Sequence, residues 1–361
     1  PDEDQSEVGP AHGGRSQVSS AHAGSGDHQA RPGNPFRPSD IMVGADGALY
    51  LSGRSGPDTE HPNGGDHGGP GIIYRLAPKG FRPNITAPSA DSIAGALALL
   101  SNPAQNVRHL GFEALRAAGE KALPAVRGLL GHYNGYLQAR VVWLLPSLGE
   151  AGLRLTRSLL DSPDARTRLL AFRSLRNAGE NQLEMVSRFY IDEPSSAVRR
   201  EVALSLRDVP AQRKATYLSY FLRRCSAGDR TYLEACGLAA EGAEELVWSR
   251  LKSVARITGA LEWTEAFARI TWRLHPRAAL PDLQKRALAE DLPGASRLLA
   301  VETLAFVNDP AAARALVEIA KVDGPAGAEA LRWLLHLAET RWKDFDIFTL
   351  LKEHRLLGLE N

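Results

Sequence analysis

Phe112-Glu-Ala-Leu-Arg-Ala-Ala-Gly119-Glu120 returns as Val142-Trp-Leu-Leu-Pro-Ser-Leu-Gly149-Glu150 and again as Phe172-Arg-Ser-Leu-Arg-Asn-Ala-Gly179-Glu180. A fourth copy, Ala203-Leu-Ser-Leu-Arg-Asp-Val209, lacks the glycine. Ahead of each copy stands an arginine in register: Arg108, Arg140, Arg168 and Arg199. Self-similarity at an interval of about thirty residues marks stacked supersecondary units, none of which can bury its apolar side alone.

Within the first copy, Val107, Leu110, Ala114, Leu115 and Ala118 recur at helical spacing and form one stripe. A second stripe follows in Leu123, Val126 and Leu130. Gly119 between them suits the left-handed residue that ends a helix, and Glu120 suits the positive end of the next. Pro103, Pro163 and Pro194 read as first-turn prolines. Each unit is therefore a tight helix hairpin, and the expected fold is mostly α, a right-handed α-solenoid of about eight hairpins. The Pro, the Xaa-Arg start, the apolar-Xaa-Xaa-Leu step and the Gly resemble HEAT repeats in the short PBS-lyase HEAT-like form. That class includes scaffolds, adaptors, lyases and glycosylases, so the resemblance speaks for fold and not for chemistry.

The 361 residues, 43% of them hydrophobic, suffice for a long solenoid or two to three domains. A formal charge of +1 creates no global field toward nucleic acid or an anionic surface. Arginine outnumbers lysine, which reads either as a phosphate-binding bias or as arginine used inside the repeats. Cys225 and Cys236 read as buried free thiols, too few for a disulfide framework. No run of eighteen apolar residues occurs, so no membrane span is expected. The chain opens at Pro1 without a signal peptide, as a processed product or a fragment would.

In chain order, residues 1–35 hold few large aliphatics and read as a flexible tail or inserted loop; His12, His22 and His28 there are too irregularly spaced for a metal site. Residues 36–77 read as a small antiparallel β element: a strand ending at Val43, a turn at Asp46-Gly47, a strand through Ser52, and a third strand from Gly71 to Leu76. The intervening loop, 58–67, carries His61, Asp66 and His67, hard and borderline ligands that could take a divalent cation but sit among glycines that fix no geometry. Residues 78–90 form a proline-punctuated linker, and the solenoid spans 91–355. After Pro210 the motif erodes while helical stripes continue, and five of the six tryptophans lie in this half, as a stacking platform or as core fillers. No haem-attachment, P-loop, dinucleotide-binding, zinc-protease or serine-hydrolase motif is present, so no catalytic residue or cofactor site is assigned to this chain. The four in-register arginines read as inter-repeat bonds to carboxylates or helix-end carbonyls, or as a ring that holds an acidic partner.

Taken together, Phe36-Arg-Pro-Ser-Asp-Ile, Asp46-Gly-Ala-Leu-Tyr50, Asp66-His67 with Ile73-Tyr-Arg75, Ala77-Pro-Lys-Gly80, Asn106-Val-Arg108 and Asp229-Arg-Thr-Tyr-Leu-Glu234 resemble the planctomycete-type membrane-bound dehydrogenases. The β element would then correspond to a final β-propeller blade. The resemblance implies an extracytoplasmic, periplasmic or secreted protein whose partner is a propeller or cytochrome domain, with any c-type haem on that adjoining domain. The expected function is a protein-interaction scaffold. Two alternatives compete: part of a sugar-dehydrogenase-like enzyme with loop 58–67 near its site, and a HEAT-like protein that grips nucleic acid.

Overall fold

The computed structural model describes residues 36–55, 71–82, 89–132, 134–189 and 191–357. By internal contacts the chain divides into two compact units, Pro1–Thr156 and Arg157–Asn361. The expected tail 1–35 and loop 58–67 lie outside the described residues.

The first unit opens with three antiparallel strands in sequential order, β1 (Phe36–Val43), β2 (Leu49–Ser55) and β3 (Gly71–Leu76). The turn between β1 and β2 is built as Asp-Gly turns are. Gly47 takes φ +83°, and Asp46 accepts from the Ala48 N–H at 3.1 Å and from Arg75 Nε at 2.9 Å. Partial burial pushes the Asp46 carboxyl up, but the bonds from Arg75, Ala48 and Tyr50 outweigh it and hold the group below its ordinary value. Register sets Leu51 between Ile41 and Tyr74, and Leu49 between Val43 and Leu76, so these six residues form an apolar band on one face. Ile41 remains 59% exposed. The β1–β2 turn meets the segment leading into the helices, where a methyl group on Gly47 would lie 3.5 Å from Phe81 and 3.9 Å from Pro103.

Helices follow: α1 (Ile93–Leu100), α2 (Gln105–Ala118), α3 (Leu123–Arg127), α4 (Gly135–Leu144) and α5 (Glu150–Ser158). Gly119 and Gly149 take φ +57° and +88° at the hairpin turns, the conformation in which glycine escapes the Cβ clash. Glu120 reaches the next hairpin, where its carboxylate accepts the Ala151 N–H in the first turn of α5 at 3.2 Å. Leu110, placed on the inward stripe by its spacing, is 58% exposed. The reason is Gly111: a Cβ there would stand 2.6 Å from the Ala96 carbonyl oxygen, so α1 and α2 meet backbone to backbone and α2 is turned toward Gly111 and Leu115.

The second unit contains α6 (Ala165–Asn177), α7 (Gln182–Phe189), α8 (Ser196–Ser205), α9 (Ala211–Arg223), α10 (Arg230–Ala239), α11 (Glu244–Val254), α12 (Glu265–Leu274), α13 (Leu280–Leu288), α14 (Gly294–Phe306), α15 (Pro310–Ala320), α16 (Pro325–Ala338) and α17 (Ile347–Glu353). Two rows emerge. Helices α6, α8, α10, α12, α14 and α16 pack each on the next, while α9 packs on α11, and α13 on α15 and α15 on α17 in a second row. Apolar residues fill the space between, including Phe172, Phe221, Leu251, Leu304 and Trp342. Side-chain oxygens cap many helix starts: Asp164 accepts from Thr167 N, Ser195 from Val198 N, Asp229 from Tyr232 N and Thr264 from Phe267 N. The chain is thus mostly helical with one small antiparallel sheet. No helix among the described residues is long and apolar enough to cross a membrane.

The prolines correct one expectation. Pro103, Pro163 and Pro194 stand one residue ahead of the N-caps Ala104, Asp164 and Ser195, outside the first turn. In that position the carbonyls of the proline and of the residue before it precede the helix and receive no helical N–H.

Candidate functional site

Those carbonyls are where three of the four register arginines go. Arg108 Nη1 donates to the Asn102 carbonyl at 3.1 Å and to that of Pro103. Arg168 Nη1 donates to Ser162 O at 2.7 Å and Pro163 O at 3.0 Å. Arg199 Nη1 donates to Glu193 O and Pro194 O, each at 2.8 Å. In these three copies the arginine follows the proline by five residues and folds back over its own helix start. Arg140 has no such proline, and its Nη1 reaches the Leu100 carbonyl at the end of α1 instead. Burial lowers the Arg140 pKa, helped by the neighbouring charge of Arg108.

Arg168 makes a second set of bonds. Its Nε and Nη2 hold the Glu193 carboxylate at 2.9 and 2.6 Å in a bidentate pair, both residues being buried. The Glu193 bonds raise the Arg168 pKa against the opposing effect of burial. Arg199 lies over the Tyr232 ring at 5.2 Å. Arg168 and Arg199 are 9% and 8% exposed, so neither lines an open groove for a phosphate chain.

Cys225 and Cys236 are free, buried thiols in the second unit. Burial pushes Cys225 up to about 11 and raises Cys236 as well, which suppresses the thiolate that redox or nucleophilic chemistry needs. Candidate metal residues His61, Asp66 and His67 lie outside the described residues. Among the described residues no group of three or more His, Cys, Asp or Glu side chains is placed to hold a metal ion.

The tryptophans divide in a way their spacing does not reveal. Trp248, Trp263 and Trp342 are core residues. Trp272 and Trp333 are half-exposed and belong to one surface, built by α12, α14 and α16. Rings there meet in sequence: Trp272 stands edge-on to Phe306 at 6.3 Å, Phe306 to Trp333 at 5.7 Å, and Trp333 to the exposed His336 at 6.0 Å. His275 stacks on Phe306 at 5.3 Å with planes 17° apart. Guanidinium groups lie over the row, Arg230 at 5.8 Å from Trp272, Arg341 at 5.6 Å from Phe306 and Arg332 at 4.8 Å from Trp333. Glu302 accepts from Trp272 Nε1 at 3.2 Å, and Arg273 bonds Glu234 at 2.6 Å.

His275 is the strained member. It ends α12 in the left-handed region at φ +48°, and its buried Nε2 has no hydrogen-bond partner. Burial, with Arg273 and Arg341 adding repulsion, takes its pKa down to about 4, so the ring is neutral near pH 7. A histidine after an amphipathic helix carries no signal in the sequence by itself; only its ring contacts with Trp272 of α12 and Phe306 of α14 single it out.

No nucleophile–base pair or metal-ligand set accompanies these rings among the described residues. What the arrangement offers is a strip of half-exposed rings bordered by cations, on successive helices of one row.

No family model matches the chain, and no curated protein matches it. Solved structures match it only at low similarity. The complex of CpcE and CpcF of phycocyanin lyase from Nostoc sp. PCC7120 is 17% identical over 76% of this chain and 98% of that one, with a TM-score of 0.23. An engineered protein is 16% identical over 73% of this chain and 97% of its own, with a TM-score of 0.17. Nothing in these comparisons speaks for the planctomycete-type dehydrogenase resemblance, its propeller blade or a periplasmic address.

Proposed function

We propose that this chain is a protein-interaction scaffold, an α-solenoid of HEAT-like hairpins that presents the α12–α14–α16 face to a protein partner. The ring strip carries the reading: Trp272, Phe306 and Trp333 are half-exposed on adjacent helices, and aromatic and arginine side chains are the residues that dominate binding energy at protein interfaces. The repeat cadence, the two rows of helices in the second unit and the internal use of the register arginines support it. Within this reading the partner is a propeller or cytochrome domain of a dehydrogenase-like assembly, as the motif resemblance implies, and any c-type haem belongs to that partner.

The test is photo-crosslinking. Trp333→benzoyl-phenylalanine keeps an aromatic group at the strip, and Glu318→benzoyl-phenylalanine places the same probe on the exposed side of α15. The first is expected to trap one discrete partner in native extract and the second none. Equal trapping at both positions, or turnover of a small substrate by the lone purified chain that survives Trp272→Ala/Trp333→Ala, would overturn the scaffold reading.

A further inference from the structure

At the N-terminal halves of α12, α14 and α16 lies a cleft of about 730 Å3. Trp263 and Arg286 line it, 6% and 3% exposed, with the guanidinium 5.0 Å from the indole ring centre. Trp263 Nε1 has no acceptor. Arg286 donates Nη1 to the Ala260 carbonyl at 2.6 Å, and no carboxylate among the described residues pairs with it, since Asp282 is taken by Lys252 at 2.6 Å. The first turn of α14 also lines the cleft. It starts after Pro293 without a side-chain cap, and the Gly294 and Ala295 N–H groups find no intramolecular acceptor.

The acceptors facing the same space are already engaged. Glu265 receives Arg269 Nε at 2.9 Å, Glu302 receives Trp272 Nε1 at 3.2 Å and Glu329 receives Arg332 Nε at 2.8 Å. Each of these carboxylates is thus held by a donor of its own, whereas the buried Arg286 guanidinium has no carboxylate partner, and a buried cation in that state is stabilised by an anion. Burial holds the Arg286 pKa below its ordinary value although Asp282 pulls the other way, as a cation without a counter-ion should behave.

We propose that the cleft is a monocarboxylate-binding subsite, in which Arg286, the Trp263 indole N–H and the open first turn of α14 receive one carboxylate group. A helix start supplies oriented N–H groups and a favourable dipole for such an anion, and the guanidinium supplies a charge-assisted bond. Glu265, Glu302 and Glu329 line the same cleft and repel negative charge, which disfavours a polyanion such as a phosphodiester chain more than a single carboxylate. Two sources fit, a small free carboxylate and the chain end of the protein partner; only the second rests on the scaffold reading.

The experiment titrates sodium propionate, and its neutral isostere propionamide, into 15N-labelled protein while following the Trp263 indole N–H and the Gly294 and Ala295 amides. Propionate should shift these signals saturably and propionamide should not. Arg286→Gln is expected to weaken binding about tenfold or more, and Trp263→Phe and Gly294→Pro about threefold each, in line with charged and neutral hydrogen bonds respectively. Gly294→Pro is sterically open, with nothing within 4 Å of its added Cβ, and proline suits a first helical position. If Arg286→Gln fails to fold, these two variants decide. Identical responses to propionate and propionamide, or unchanged propionate affinity in both variants, would overturn the subsite. An acetylated leucine-rich tripeptide and its C-terminal amide then separate the sources: tighter binding of the free acid than of propionate supports a partner's chain end, and failure of that arm removes the link to the scaffold while propionate binding still stands.

Discussion

Replacing Arg168 by methionine should be among the most damaging single changes in the second unit. The substitution keeps much of the side-chain volume and deletes five donors from a buried site. Glu193, 5% exposed, would lose both guanidinium bonds and keep only the Ser195 N–H at 2.8 Å. The Ser162 and Pro163 carbonyls would lose their donor as well. Breaking a buried pair from one side leaves an uncompensated charge and costs about 3–5 kcal/mol. A half-exposed arginine is the internal contrast: Arg173, 46% exposed, bonds Glu201 at 2.5 Å while Arg176 stands 3.4 Å from the same carboxylate, so Arg173→Ala should cost about 1 kcal/mol or less. Removing both charges together, Arg168→Met/Glu193→Leu, should cost less than either buried single change, because no orphaned ion remains. Urea unfolding followed by far-ultraviolet circular dichroism measures the differences, and amide exchange in α6 and α8 confines them to the expected region. Arg168→Met within about 1 kcal/mol of the parent, or a double variant as unstable as the sum of the singles, would refute the assignment of a buried, mutually dependent pair.

Two further outcomes follow from geometry. Gly111→Ala would put a methyl group 2.6 Å from Ala96 O and 2.7 Å from Leu100 N, forcing α1 and α2 apart at about 2–3 kcal/mol; faster amide exchange in α1 is the readout, and unchanged protection would show that the helices do not meet this closely. His275 has a folded pKa near 4 against an ordinary 6.5, so the unfolded chain binds the extra proton between those values. Its contribution to stability is fully present above about pH 6.5 and is lost as pH falls toward about 4, by about 1–2 kcal/mol once the ring's partial exposure is allowed for. His275→Asn, which also tolerates the left-handed backbone, should flatten that part of the stability–pH curve, and an unaltered curve would exclude the ring as its source.

Much of the helical order was legible because two signals agree in the first three hairpins, a 3.6-residue apolar stripe and a glycine at the turn; Gly119, Gly149 and Gly179 all take positive φ. The β turn was legible for a like reason, since Asp46-Gly47 satisfies its own backbone bonds locally. Leu110 was misread because periodicity reports which residues share a stripe and not how a close glycine contact rotates the helix. The arginine register was visible, whereas the loop carbonyls that Arg108, Arg168 and Arg199 take within their own segments were not: every sequence has main-chain carbonyls, and whether they lack a donor depends on where the helix starts. Trp272 and Trp263 look alike in the sequence, yet Trp263 is enclosed by Trp248, Phe267 and Arg286 while Trp272 meets Phe306 at the surface, because neighbours distant in sequence decide the outcome.

The arginine that doubles back over its proline makes each clasp self-contained, closing within six residues of its own hairpin. Duplication or deletion of one such segment brings or removes donor and acceptors together. A lineage could lengthen or shorten the array without stranding such a cation, and that freedom stops at Arg140, which takes the Leu100 carbonyl at the end of α1, and at Arg168, whose second grip on Glu193 ties two neighbouring segments into a pair that must be inherited as one.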